Sequence, residues 1–188
     1  MSNLAKRLDE LKKHIQTEEY LTGKGLSNEV NISIFCYDPK DEMEVRDFTE
    51  KLVNDVTLKC HVIENNLYKI FLQICNEKKV TEKIIIRQKT VGQEAILSPI
   101  TDKFAEPKKF VELIQYDNHQ PGKDVVLITG VGEVFPFTRV HSLLDALQPA
   151  LPDVPILVLY PGNYNGLELK LFNLLKTNPY YRAFNIIK

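Results

Sequence analysis

The 188-residue chain shows no excess of positive charge: 24 Lys and Arg against 25 Asp and Glu leave a formal net charge of −1. A protein that grips nucleic acid through its phosphates usually carries a basic surplus, so that class loses its simplest support. Cysteine is scarce. Cys36, Cys60 and Cys75 are odd in number, form no CxxC, and lie in or beside apolar runs. That pattern argues against a disulfide framework and suits buried, reduced thiols of a cytoplasmic protein. The four histidines, His14, His61, His119 and His141, show no i, i+4 pairing, so the spacing of a zinc site is absent and no metal or other cofactor is expected. His61, in a strand pattern, reads as a structural residue. The apolar runs, ILVLY among them, are far shorter than the roughly 20 residues of a membrane span. MSNLAKRLDELKKHIQ lacks the apolar core of a secretory signal. These absences lead to an expectation of a soluble, cytoplasmic protein.

What is present is a globular composition, 44% hydrophobic and 26% charged. A chain this long buries roughly 70% of its unfolded surface and needs no staple. Charge is uneven. Residues 1–120 hold 38 charged side chains, residues 121–188 only 11, and the latter stretch has five of the eight glycines. The last third is therefore expected to supply the most buried strands and the most specialised loops.

Leu4, Leu8, Leu11 and Ile15 recur at helical spacing, predicting an N-terminal helix over about 2–16 with Ser2 as its cap. NISIFCY (31–37) reads as a buried strand broken by Asp38-Pro39. Phe48, Leu52, Val53 and Val56 predict a helical stripe, and LKCHVIE (58–64) a second strand. Asn65-Asn66 precede a helix through Leu67, Ile70, Phe71 and Ile74. IIIRQ fits either a strand or part of a long helix, and PKKFVELIQ is helical with proline in the first turn. Residues 80–120 are thus expected to form a mainly helical insert, closed by a Pro121-Gly122 turn. Val125–Thr129 reads as a strand. Val140, Leu143, Leu144 and Leu147 give a helix face, with Thr138 as N-cap. PILVLY is a further strand, PGNYNG a loop, Leu167, Leu171, Leu174 and Leu175 a helix, and YYRAFNII a last strand. Strands alternating with helices predict one three-layer α/β domain over 1–188, with a mostly parallel sheet of about five strands. Strands apolar on both faces, such as VVLIT and ILVLY, belong in its centre.

Ligands of open α/β sheets gather at the carboxyl ends of the strands. Loops leaving three strands should meet there and bring Asp38, Glu133, Arg139, Tyr164 and Asn165 into one neighbourhood. The central loop is TGVGEVFPFTRVH (129–141). It has no lysine for a P-loop, and its GxGxxG spacing breaks at Phe135. TGKG at 22–25 also fails, because Glu18 stands where the first P-loop glycine belongs. No GxSxG elbow exists, and Ser142 points away from its neighbour His141 on a helix. Glu133 and His141 offer acid–base chemistry only if the loop folds back; otherwise Glu133 caps the helix or pairs with Arg139. Gly130 or Gly132 is expected at positive φ. Phe135, Phe137, Tyr160, Tyr164, Tyr180, Tyr181 and Phe184, with Arg139 and Arg182, are residue types that dominate protein interfaces. They equally suit a core, with Tyr164 and Arg139 read toward the surface.

Three ordered motifs, GVGEVFPFTRVH, PGNYNG and YYRAF, resemble the BrxB family of bacterial BREX phage-defence systems. The resemblance covers residues 121–188 well. It implies a component of a multi-gene defence system with other BREX proteins as partners, foremost the alkaline-phosphatase-like protein PglZ, and association with DNA only indirectly through the complex. By analogy it implies a P-loop-like α/β core without the phosphate loop. It carries over no catalytic residue, so a non-enzymatic adaptor is expected. The alternative is a nucleotide- or nucleic-acid-binding module with a degenerate NTPase-like core, suggested by a glycine-rich loop at a strand-to-helix junction. The candidate partner-binding or loop-shaping residues are Gly130, Gly132, Glu133, Phe135, Pro136, Phe137, Arg139, His141, Pro161, Gly162, Tyr164, Tyr181, Arg182 and Phe184.

Overall fold

The computed structural model of the chain describes residues 3–23, 31–114, 119–180 and 182–187. Helix α1 (Asn3–His14) buries the Leu4, Leu8 and Leu11 stripe. The expected cap Ser2 and the Lys24-Gly25 pair lie outside the described residues. Short α2 (Glu18–Thr22) is capped by Thr17, whose hydroxyl accepts from the Tyr20 amide. Strand β1 (Ile32–Tyr37) leads through a tight turn at Pro39–Asp41 into α3 (Glu42–Val53). Strand β2 (His61–Asn66) ends on Asn66, which caps α4 (Leu67–Glu77) by accepting from the Lys69 amide. Helices α5 (Thr81–Val91), α6 (Gln93–Phe104) and α7 (Pro107–Ile114) follow. Then come β3 (Asp124–Thr129), α8 (Val131–Val134), α9 (Val140–Leu147) and β4 (Ile156–Tyr164). Three short strands end the chain: β5 (Glu168–Leu171), β6 (Asn178–Pro179) and β7 (Phe184–Asn185).

Among the described residues the sheet has seven strands. β2, β3, β4, β1 and β7 lie side by side in that order and run parallel. β5 pairs antiparallel with the far end of β4, and β6 with β5. The pleat sorts the core into two layers. Ile32, Ile34, Val126, Ile128, Ile156 and Val158 face α4, α6, α7 and α9. Phe35, Tyr37, Val125, Leu127, Leu157 and Leu159 face α1 and α3. Central strands buried on both faces explain why VVLIT and ILVLY carry no polar alternation. The expected α/β class with a mostly parallel sheet is what the chain adopts.

Several local expectations are corrected. IIIRQ takes the helical of its two expected readings, inside α5, which ends at Gly92 with φ 85°. Val56 is 97% exposed beyond the end of α3 and Val53 is exposed too, while Leu52 is buried with Val45 and Thr49 and Phe48 packs half-buried against that layer. The second strand starts later, at His61, because Asp55 organises a turn by accepting from the Thr57 amide and hydroxyl. The helix read from Leu167, Leu171, Leu174 and Leu175 does not form. Asn165 Oδ1 accepts from the amides of Leu167 and Glu168 and turns the chain back along β4. Leu169 and Leu171 are then buried at strand spacing while Leu167 and Leu174 are exposed. PGNYNG is not wholly a loop, since Pro161–Tyr164 continue β4. Thr138 does not cap α9; Arg139 stands at that position and makes no side-chain cap bond. The last strand shrinks to Phe184–Asn185 beside β1.

Candidate functional site

The carboxyl ends of β3 and β4 carry the first two motifs, the third leads into β7, and they are fastened to one another. Gly130 leaves β3 with φ 70°, a conformation glycine adopts at no steric cost. A Cβ there would also stand 2.7 Å from Asn66 Oδ1, the oxygen that caps α4. Gly132 lies within the helical turn α8, so positive φ applies to Gly130 and not to Gly132. Its Cβ would fall 2.8 Å from the Phe172 ring and 3.2 Å from Pro161. Gly132 therefore allows α8 to touch the β4–β5 arm. At Gly162 the same test is more severe, with the Lys170 carbonyl 2.2 Å away.

Tyr164 is corrected from a surface role. It is 4% exposed, and its hydroxyl donates to the carbonyls of Ala183 at 2.8 Å and Gly166 at 3.1 Å. Asn185 returns a bond to the Tyr164 carbonyl. The PGNYNG and YYRAF motifs are thus one packed unit. Arg139 Nη1 donates to Asn178 Oδ1 at 3.0 Å, so the first motif touches β6, and Arg182 of the third faces Asp145 of α9 at 3.6 Å. Pro161 and Gly162 are buried and Phe184 half-buried. Tyr181 lies outside the described residues.

Glu133 does not pair with Arg139. It reaches across the sheet edge to Arg46 of α3 at 3.0 Å, and Arg46 also donates to Glu42 at 2.8 Å. Glu42 in turn accepts from the Tyr37 hydroxyl, and burial pushes the Tyr37 phenol far above its usual range. The neighbourhood of Asp38, Glu133, Arg139, Tyr164 and Asn165 is accordingly not one site. Asp38 turns to Lys40, Glu133 to Arg46, Arg139 to Asn178. Glu133 and His141 do not approach as an acid–base pair among the described contacts.

Two cavities flank this edge differently. A groove of about 420 Å³ between α3 and the ends of β2 and β3 is lined by Glu42, Glu50, Glu64 and Glu133 against Arg46 and Lys69. That charge balance disfavours a nucleotide phosphate. A second cavity of about 220 Å³ lies between residues 138–141 and β5. Its floor is Val131, Leu169, Leu171 and Leu175; Arg139, His141 and Lys176 stand around it with no carboxylate in the lining. The His141 imidazole is held below its usual pKa, first by burial and then by Arg139. Nothing in the sequence pattern marks Lys176 or Asn178 as cavity residues. The aromatic signal in the motif found Phe135, which lines this cavity, and Phe137, which stacks on Phe71 at 4.4 Å. Phe137 and Pro136 border a third, apolar groove of about 350 Å³ with Ile84, Ile96 and Ile100.

His61 Nδ1 meets Asp124 at 3.1 Å, a pairing between neighbouring strands. Among the described residues no cluster of His, Cys, Asp and Glu is arranged to hold a metal ion. No helix of the described residues is long and apolar enough to cross a membrane.

The profile of the family described as "BREX protein BrxB" matches residues 63–186. A protein of Bacillus cereus (strain H3081.97) named "BREX protein BrxB" is 39% identical, with all of this chain and 99% of the relative covered. One of Escherichia coli O9:H4 (strain HS), with the same name, is 28% identical over 96% of this chain and 90% of its own. No solved structure matches. The matched region begins in β2 and takes in all three motifs and the whole lining of the cavity between α9 and β5, and the full-length relative exceeds 30% identity: the chain belongs to the BrxB family of BREX proteins.

Proposed function

We propose that this BREX component serves phage defence as a non-enzymatic adaptor that docks another BREX protein, foremost PglZ, through the segment from Phe135 to His141. The observation that carries this reading is the position of that segment. It runs between an apolar groove on one side and the cavity with Arg139 and Lys176 on the other. Pro136 and Arg139 are exposed on it, and Phe135 and Phe137 are half-buried. Aromatic and arginine anchors seated beside pockets are the common chemistry of interface hot spots. Neighbouring α5 adds to the face: it has no buried residue and exposes Ile85, Ile86 and Val91. Such a run of exposed apolar side chains marks an interaction surface more often than free solvent.

The test is copurification of tagged protein from a strain carrying the neighbouring BREX genes. Arg139→Gln is expected to reduce recovery of PglZ by about tenfold, the loss of one charged anchor, while the melting temperature holds. Recovery at the parent level would overturn the docking surface. A thermal shift with millimolar ATP, GTP or short DNA would instead favour the nucleotide or nucleic-acid alternative.

A further inference from the structure

Hydroxyls of buried residues usually find a hydrogen-bond partner. Two on otherwise buried residues open instead into one cavity. Tyr160 is 2% exposed and Thr138 is 7% exposed, and neither side chain has a hydrogen-bond partner among the described residues. Both border the 220 Å³ space between α9 and β5. The N-terminus of α9 opens there too, with Val140 and His141 in the lining. No side chain caps that helix, and its first turn has no acidic residue. Its free amides and dipole therefore remain available to an anion. Arg139, at the cap position, satisfies only a neutral amide, that of Asn178. The nearby Asp145 is engaged by Arg182. Hydroxyl donors, helix amides and an uncompensated guanidinium thus converge above an apolar floor.

We infer that this cavity is a carboxylate-binding pocket that accepts the C-terminal residue of a partner protein. The occupant must present one anionic group on an apolar body. A chain terminus does so, with its carboxylate a single bond from the Cα that carries the side chain. The carboxylate would take the Thr138 and Tyr160 hydroxyls and the α9 amides, with Arg139 in ion pairing. The side chain would lie on Leu169, Leu171 and Leu175. Phosphate is the poorer match. Half of the lining is aliphatic or phenylalanine, and burial, with Arg139 beside it, disfavours the charged form of the His141 imidazole. The inference rests on the docking reading and supplies the chemistry of its anchor.

The test uses the full chain, labelled with nitrogen-15, and three probes: N-acetyl-phenylalanine, its C-terminal amide, and inorganic phosphate. The acid is expected to move the amide signals of Val140 and His141 and to bind about tenfold more tightly than the amide, the difference of one charged hydrogen-bond set. Arg139→Gln and Thr138→Val should each weaken the acid and leave the amide unchanged. Equal response to acid and amide, no response to either at millimolar concentration, or a response to phosphate alone would overturn the inference. If the acid fails to bind while Arg139→Gln still loses PglZ, the pocket falls and docking stands. If the acid binds while PglZ recovery is unchanged, the pocket stands without docking.

Discussion

The groove between α3 and β3 holds four glutamates around Arg46, whereas the cavity between α9 and β5 holds Arg139 and Lys176 with no carboxylate in its lining. Both open on the same sheet edge, and each takes a charged residue from the same motif. Glu133 goes to the first and is neutralised by Arg46 across two layers. Arg139 goes to the second and, among the described residues, donates to the Asn178 amide. A charge answered by an opposite charge explains itself as structure. A charge left with a neutral partner is what the proposed docking and its carboxylate pocket rely on. The same stretch, TGVGEVFPFTRVH, thus splits into a half that fastens the fold and a half that the proposed docking would use.

The fastening half is open to attack first. Gly162→Val places a branched side chain against the Lys170 carbonyl, and should cost about 3 kcal/mol of stability in chemical denaturation. A loss within error would show that the β4–β5 arm adapts. Gly132→Ala presses on Phe172 and should cost about 2 kcal/mol, and Phe172→Ala should relieve part of it, with a coupling of about 1 kcal/mol in a double-mutant cycle. Additive effects would break the claim that the motifs meet there. Tyr164→Phe removes a buried donor shared by two carbonyls and should cost about 1–2 kcal/mol.

Smaller effects separate the two arginines. Arg46→Gln and Arg139→Gln should each change stability by only about 0.5 kcal/mol, because both ion pairs and hydrogen bonds are solvent-accessible. His141 should titrate below 6.5 by proton NMR, and Arg139→Gln should move it upward by removing the neighbouring positive charge. Its folded pKa is depressed, so the stability it contributes is full above the unfolded value and is lost as pH falls through the folded one. Finally, burial pushes the Cys60 thiol up to about 11 and Cys36 to about 12. Native protein at pH 8 should therefore react slowly with thiol reagents and rapidly once denatured.

The layers were legible because they rest on local patterns. Two-sided apolar strands such as VVLIT belong in a parallel centre, and the leucine stripe of α1 has only one good burial face. Asn66 announced its helix through cap chemistry. The arm was misread because four leucines at 167–175 satisfy helical spacing as well as strand alternation, and the Asn165 turn decides between them. Tyr164 looked available for the same reason any tyrosine in a polar loop does; its buried partners lie near the end of the chain. Glu133 meets Arg46, far away in sequence, and no local pattern encodes such a pair. The cavity residues Tyr160, Lys176 and Asn178 come from separate segments and acquire meaning only when the arm folds over α9.

The most direct measurement is the affinity of purified PglZ for the parent chain, Arg139→Gln and Arg46→Gln, compared by calorimetry at one salt concentration. The account predicts that Arg139→Gln weakens binding by about tenfold or more while Arg46→Gln binds as the parent does. Parent-like binding by Arg139→Gln, or a loss confined to Arg46→Gln, would contradict it.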